Sequence, residues 1–127
     1  MQVRAITLSN LGGVLVRLGR RDDSLAPWTR ALEMRRATVA ADPKDQRAVE
    51  GLAMMLTRLS SRAYEDKRFA ESVALNREKL RVLDEVASRD GATPRTRSDR
   101  ALARLELVMA LVAQADAGAA SRAALLA

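Results

Sequence analysis

The 127-residue chain is enough for one domain and short of two. Its 48% hydrophobic and 30% charged residues exclude a disordered chain, and with aromatics at 2% the core falls to Leu, Ala, Val and Met, which excludes an all-β fold. The absence of cysteine and histidine excludes structural zinc sites, thiol nucleophiles and imidazole bases, while the net charge of +6 admits an acidic partner, nucleic acid or an anionic surface and equally suits the arginine and alanine bias of a GC-rich coding sequence.

The first helix is predicted from Val3 to Gly19, with Leu8, Leu11, Leu15 and Leu18 on one apolar stripe. Its acid-free, arginine-bearing start shares features with a transit peptide, but the same apolar spacing recurs later, where no targeting signal sits. Gly19 ends this helix. Asp22 and Asp23 offer acidic caps for a second helix starting near Ser24, with Pro27 in its first turn and Leu25, Trp28, Ala31, Leu32 and Val39 along it.

Asp42-Pro43-Lys44-Asp45 reads as an N-cap acid followed by proline at the first helical position, so a third helix is expected from Pro43 to Tyr64 with Val49, Leu52, Leu56 and Leu59 buried. The polar break Glu65-Asp66-Lys67 separates it from a fourth helix, Arg68 to Ser88, carrying Phe69, Val73, Leu80 and Leu83. Arg89-Asp90-Gly91-Ala92 is expected to form a loop, and Thr93-Pro94 repeats the cap-and-proline device. The fifth helix places Leu102, Leu105, Val108, Met109 and Val112 on its apolar side and is expected to close at Asp116-Ala117-Gly118, leaving a short helical tail. No run of eighteen apolar residues exists to span a membrane.

The segments repeat one another. Leu52, Leu56 and Leu59 parallel Leu105, Met109 and Val112, and Leu11, Leu15 and Leu18 give the same spacing again. Asp23-Ser24-Leu25 aligns with Glu71-Ser72-Val73 in the second helices. Leu11-Gly12, Leu15, Gly19, Ser24, Trp28 and Ala31 fill the pattern of a tetratricopeptide repeat, and Leu52-Ala53 with Leu56 restarts it. The chain therefore resembles the tetratricopeptide repeat family. Ser60 stands where the turn glycine is expected, Asn76 replaces the aromatic, Lys79 replaces the alanine and Glu106 takes a small-residue position. On this alignment the first helix of the second repeat is about two turns longer than that of the first. These longer, looser repeats resemble arrays attached to bacterial signalling proteins such as serine/threonine kinases or ATPase regulators.

The resemblance implies an all-α fold, a right-handed solenoid of stacked antiparallel helix pairs in about two and a half to three repeats, spanning 3–42, 43–90 and 93–127 within a single domain. It also implies a cytoplasmic, non-enzymatic scaffold without cofactor or metal, part of a larger regulatory protein, that binds a protein or peptide on the concave surface lined by the first helix of each pair. Carried over by position, that surface singles out Arg17 and Arg58, each six residues after its repeat leucine, and Arg47 and Arg100, each five residues before one. Glu50, Met54 and Leu107 lie nearby. Arginine forks suit carboxylates, so an acidic peptide is the favoured ligand, and four solvated surface arginines are the plain alternative.

The asparagine of the carboxylate clamp in chaperone-binding members is missing, because Gly13 stands in its place. Trp28 is read as packing inside its helix pair, and the acid pairs Asp22-Asp23 and Glu65-Asp66 as helix-end charges. A basic nucleic-acid-binding module is the alternative function. Acids interspersed among the arginines and the lack of stacking aromatics disfavour it. The chain starts in helix without an evident cap and ends on Ala-Ala-Leu-Leu-Ala, so it is expected to be a segment of a longer protein or to self-associate through uncapped ends.

Overall fold

The computed structural model describes residues 2–91 and 93–126, with the side chains of Gln2, Val3 and Asp90 excepted. The expected loop position of Ala92 and the last tail residue, Ala127, lie outside the described residues. Within them the chain is all α: α1 (Gln2–Arg17), a 3-10 turn at Asp22–Ser24, α2 (Leu25–Ala41), α3 (Gln46–Glu65), α4 (Phe69–Asp90) and α5 (Pro94–Leu126). It divides into two compact units, Met1–Leu59 and Ser60–Ala127. Sequential neighbours pack together, α1 on α2 and α4 on α5.

Local chemistry sets the helix ends. At the end of α1, Gly19 adopts φ +76°, its amide donates to the Val16 carbonyl at 3.0 Å and the Arg20 amide donates to Leu15 at 2.8 Å. This double closure satisfies the last carbonyls of the helix and needs one left-handed residue. Forty-eight residues on, Lys67 does the same at the end of α3. Its φ is +62°, its amide donates to Tyr64 at 3.0 Å and that of Arg68 donates to Ala63 at 2.8 Å.

Two expected boundaries are corrected. α3 starts three residues later than Pro43, because Asp45 is the cap: its Oδ1 accepts the amides of Arg47 at 3.0 Å and Ala48 at 3.3 Å. Asp42 instead accepts the Lys44 amide at 3.2 Å and makes a turn of Asp42-Pro43-Lys44. Thr93 caps α5 as expected, accepting the Thr96 amide at 3.1 Å with Pro94 first in the helix. The expected stop at Asp116–Gly118 is absent, and α5 runs on to Leu126. A mid-helix glycine costs only about 1 kcal/mol relative to alanine, and the flanking alanines are the best helix formers.

The buried stripes divide into large and small. On α3, Val49, Leu52, Leu56 and Leu59 are buried as their spacing predicts. On α1 the expected leucine stripe is split: Leu8 and Leu15 are half-buried beside the packing residues Ala5, Ser9 and Gly12, while Leu11 is exposed and Leu18 is 68% exposed. α5 behaves likewise, burying Ala103 and Ala110 while Leu102, Leu105, Val108, Met109 and Val112 stay about half exposed. Small side chains bring helix backbones close, and the larger residues beside them then face away.

The structure also revises the repeat register. A Cβ on Gly12 would lie 2.9 Å from Trp28 Cε2 and closer still to Nε1 and Cδ1, while Ser60 donates to Asn76 Oδ1 at 2.8 Å. The facing pairs Gly12/Trp28 and Ser60/Asn76, the buried serines Ser24 and Ser72 and the left-handed residues Gly19 and Lys67 all recur 48 residues apart. Leu11-Gly12 therefore corresponds to Leu59-Ser60 rather than to Leu52-Ala53. Lys67 holds the place of the turn glycine, and the apparent two-turn extension of the second repeat disappears.

Candidate ligand-binding site

In the first unit, α2 and α3 run antiparallel, with Arg35 against Gly51 and Trp28 against Arg58. Trp28 is seated on α1, where its Nε1 donates to the Ser9 carbonyl at 3.1 Å and Gly12 leaves room for the ring. Ser9 in turn donates its hydroxyl to Met55 Sδ at 3.1 Å. Trp28 thus packs inside its helix pair, as read from its position. The Arg58 guanidinium carbon lies 5.9 Å from the ring centroid, at the outer edge of a cation–π contact.

Two turns along α2 from Trp28, on the same face, Arg35 is only 8% exposed. Its guanidinium lies over Gly51, and a Cβ there would come 2.7 Å from Arg35 Cζ and closer still to Nη1. The Arg35 Nε is buried without a hydrogen-bond partner. Burial, and secondarily the charge of Arg58, push the Arg35 pKa down, and no carboxylate offsets them. With so high an intrinsic pKa the group stays charged, so the shift expresses a cost of burial rather than a change of protonation.

The other buried cations among the described residues are differently placed. Arg62, 5% exposed, donates through Nε to Asp66 at 2.7 Å, and Lys79, 7% exposed, reaches Glu106 at 3.4 Å. A buried charge normally carries such a partner, because desolvation without one is expensive. Arg35 departs from that rule.

The sequence-derived residues separate. Arg47, Glu50, Met54 and Arg58 recur at three- and four-residue spacing on one side of α3, the side that also carries Gly51. Arg47, Glu50 and Met54 are exposed there and Arg58 is half-buried. Arg17 is exposed in the last turn of α1. The positional match of Arg17 with Arg58 does not survive the revised register, in which Glu65 and not Arg58 follows Arg17 by 48 residues. In the second unit, Arg100 donates to Asp84 of α4 at 2.8 Å, and Leu107 is half-buried. The acid pairs supply ion-pair partners rather than the expected caps: Asp23 accepts from Arg20 at 2.8 Å and Asp66 from Arg62, while the starts of the 3-10 turn and of α2 carry no side-chain cap hydrogen bond.

Sequence reasoning missed Arg35 and Gly51. Both carry a signal in retrospect, an arginine on an apolar stripe and a glycine in mid-helix with no turn to make.

The second unit holds a polar counterpart to the Trp28 seat. Ser60 also stands 3.3 Å from the Ser72 hydroxyl, and Asn76 Nδ2 donates to the Glu106 carbonyl at 3.5 Å. A cavity of about 220 Å³ opens beside them, lined by Tyr64, Glu65 and Met109 as well. Among the described residues, no helix is long and apolar enough to cross a membrane.

Compared with known proteins, the chain matches no family model, no curated protein and no solved structure.

Proposed function

We propose that this chain is a non-enzymatic interaction module of tetratricopeptide-like helix pairs, one part of a larger regulatory protein, which binds protein or peptide segments on exposed apolar helix faces, that of α1 and Met54 of α3 in the first unit and that of α5 in the second. One observation carries the reading. Among the described residues, every exposed large hydrophobic lies on these three helices or in the turn directly after α1, and α2 and α4 expose none. Ile6, Leu11, Val14 and Val16 stand on α1, Met54 and Tyr64 on α3, and Leu102, Leu105, Val108, Met109 and Val112 on α5.

Scattered surface hydrophobics need no explanation, but a contiguous stripe on one helix does. Leu102, Leu105, Met109 and Val112 follow three-four-three spacing, the seam that a partner's apolar side chains cover in helix-in-groove recognition. The nucleic-acid alternative draws on net charge alone, and Arg20, Arg62, Arg68 and Arg100 each pair with a carboxylate.

Photo-crosslinking tests this reading. A benzophenone side chain placed at Leu11, Met54 or Val108 should capture a bound partner, whereas the same group at Arg36 of α2 or Arg81 of α4 should not. Leu105→Glu with Met109→Glu should abolish capture from Val108 while leaving the helical circular dichroism intact. Equal capture from all five helices, or capture indifferent to the glutamates, rejects the proposal.

A further inference from the structure

The arginine pair of the first unit carries an inference that rests on, and sharpens, the interaction-module reading. We propose that Arg35, seated over Gly51, and Arg58, beside the Trp28 ring, form a carboxylate-binding site for an acidic peptide segment.

Arg35 is buried, its Nε has no hydrogen-bond partner, and the charge that acts on it is that of another arginine, Arg58. The helix pair itself does not require a cation there. The residue 48 positions later on α4 is Leu83, buried in the ordinary apolar way. Gly51 is a second departure from the best helix-forming choice, and it removes the one side chain that would exclude the Arg35 guanidinium. Two like charges and a helix-weakening glycine thus converge on one spot, each costly to folding and each explained if an anion completes the set.

The unsatisfied atom points to the kind of anion. Nε and a neighbouring Nη form the side-on edge of a guanidinium, two parallel N–H donors whose spacing matches the two oxygens of a carboxylate. Arg58 supplies the second fork. It is half-buried and engaged at the Trp28 ring, so it can turn towards Arg35 when an oxyanion enters. The ring and the exposed Met54, one turn before Arg58, give the aliphatic stem of an aspartate or glutamate apolar surface to lie against. Inorganic phosphate shares the bidentate chemistry but not that stem.

Trp28, the only tryptophan, makes the site self-reporting, because drawing Arg58 away from the ring changes the indole environment. The full chain is titrated with hexaglutamate, with inorganic phosphate, and with sodium chloride at matched ionic strength, while Trp28 emission is followed. Hexaglutamate should give a saturable change that chloride does not. Arg35→Leu, which places leucine where the second pair already has it, should weaken the response at least tenfold while the far-ultraviolet circular dichroism stays helical. Arg58→Gln, read by the peptide-induced rise in melting temperature, should weaken it similarly. Arg97→Gln, on the exposed side of α5, should leave affinity unchanged, separating a built site from general attraction to a basic protein.

The assignment is overturned if hexaglutamate behaves as chloride, if phosphate saturates and the peptide does not, or if Arg97→Gln weakens binding as much as Arg35→Leu. The Leu105→Glu/Met109→Glu variant separates the two readings. A retained Trp28 response in that variant confines any failure of crosslinking to the apolar faces, and a lost Trp28 response in Arg35→Leu with crosslinking intact upholds the carboxylate site.

Discussion

The first helix pair seats an indole against a glycine, and the second, at the equivalent place, seats a carboxamide against a serine. Trp28 fills its side of the first pair and needs Gly12 bare. Asn76 is too small for the same space, so Ser60, Ser72, Lys79 and Glu106 assemble a polar cluster around it and a cavity of about 220 Å³ remains. Read singly, Ser60, Asn76, Lys79 and Glu106 are four departures from a repeat pattern. Read together they are one exchange, in which each polar group partners another. Equivalent sequence positions are thus held by shape in one unit and by hydrogen bonding in the other.

The largest test of this contrast is Gly12→Leu. With no room beside Trp28, the variant should lose about 3 kcal/mol in a denaturant melt through displacement of the ring. Ser60→Leu, at the equivalent place beside an open cavity, should lose less than Gly12→Leu. A loss as large as that of Gly12→Leu would show that the second pair is packed as tightly as the first.

Ser60→Ala should cost about 1–2 kcal/mol, because it leaves the buried Asn76 carboxamide oxygen without its donor. The double change Ser60→Ala/Asn76→Leu should cost less than the two single losses added together, since each single change orphans a group that the double change removes. Strict additivity would separate the two residues energetically.

Arg35→Leu, by giving the first unit the apolar residue the second already has, should raise stability by about 1–2 kcal/mol. In the melting temperature this is a gain of roughly 4 °C or more for a chain of this size. A destabilised Arg35→Leu would mean that the cation is part of the folded core after all.

The smallest contrast lies at the two turns. Lys67 holds by backbone hydrogen bonding a left-handed angle that Gly19 adopts freely, so Lys67→Gly should stabilise by about 0.5–1 kcal/mol, while Gly19→Ala should destabilise by about 1 kcal/mol. Equal and opposite effects would make the closures interchangeable.

Helix number and most helix ends were legible in the sequence because Pro94, Gly19, Gly91 and Thr93 act locally. Packing faces were legible only where large residues do the packing. The stripe on α3 is of that kind, but α1 and α5 pack chiefly through Ala5, Ser9, Gly12, Ala103 and Ala110, so Leu11, Leu18, Leu102 and Leu105 mark the wrong side. The repeat register failed for a related reason. A slip of seven residues turns an α-helix by nearly two full turns and returns it to almost the same face, so Leu11 matches Leu52 about as well as Leu59 by pattern alone. The paired closures at Gly19 and Lys67 and the facing pairs Gly12/Trp28 and Ser60/Asn76 distinguish the two alignments. Of the proposed site, Arg58 was singled out by a spacing that the revised register removes. Arg35 was not, because an arginine on a buried stripe is invisible to a search for surface arginines.

α5 has 33 residues against 22 in α4, a rod of about 50 Å beside one of about 33 Å. Beyond Ala110 its described residues bury no side chain fully. From there to Leu126 the helix is held by alanine propensity and its own backbone bonds, a length at which isolated helices in water hover near the coil transition. That stretch is therefore a conformational fuse: backbone amide exchange should run fastest there, and any molecule that lies along it converts a marginal coil–helix balance into a committed rod.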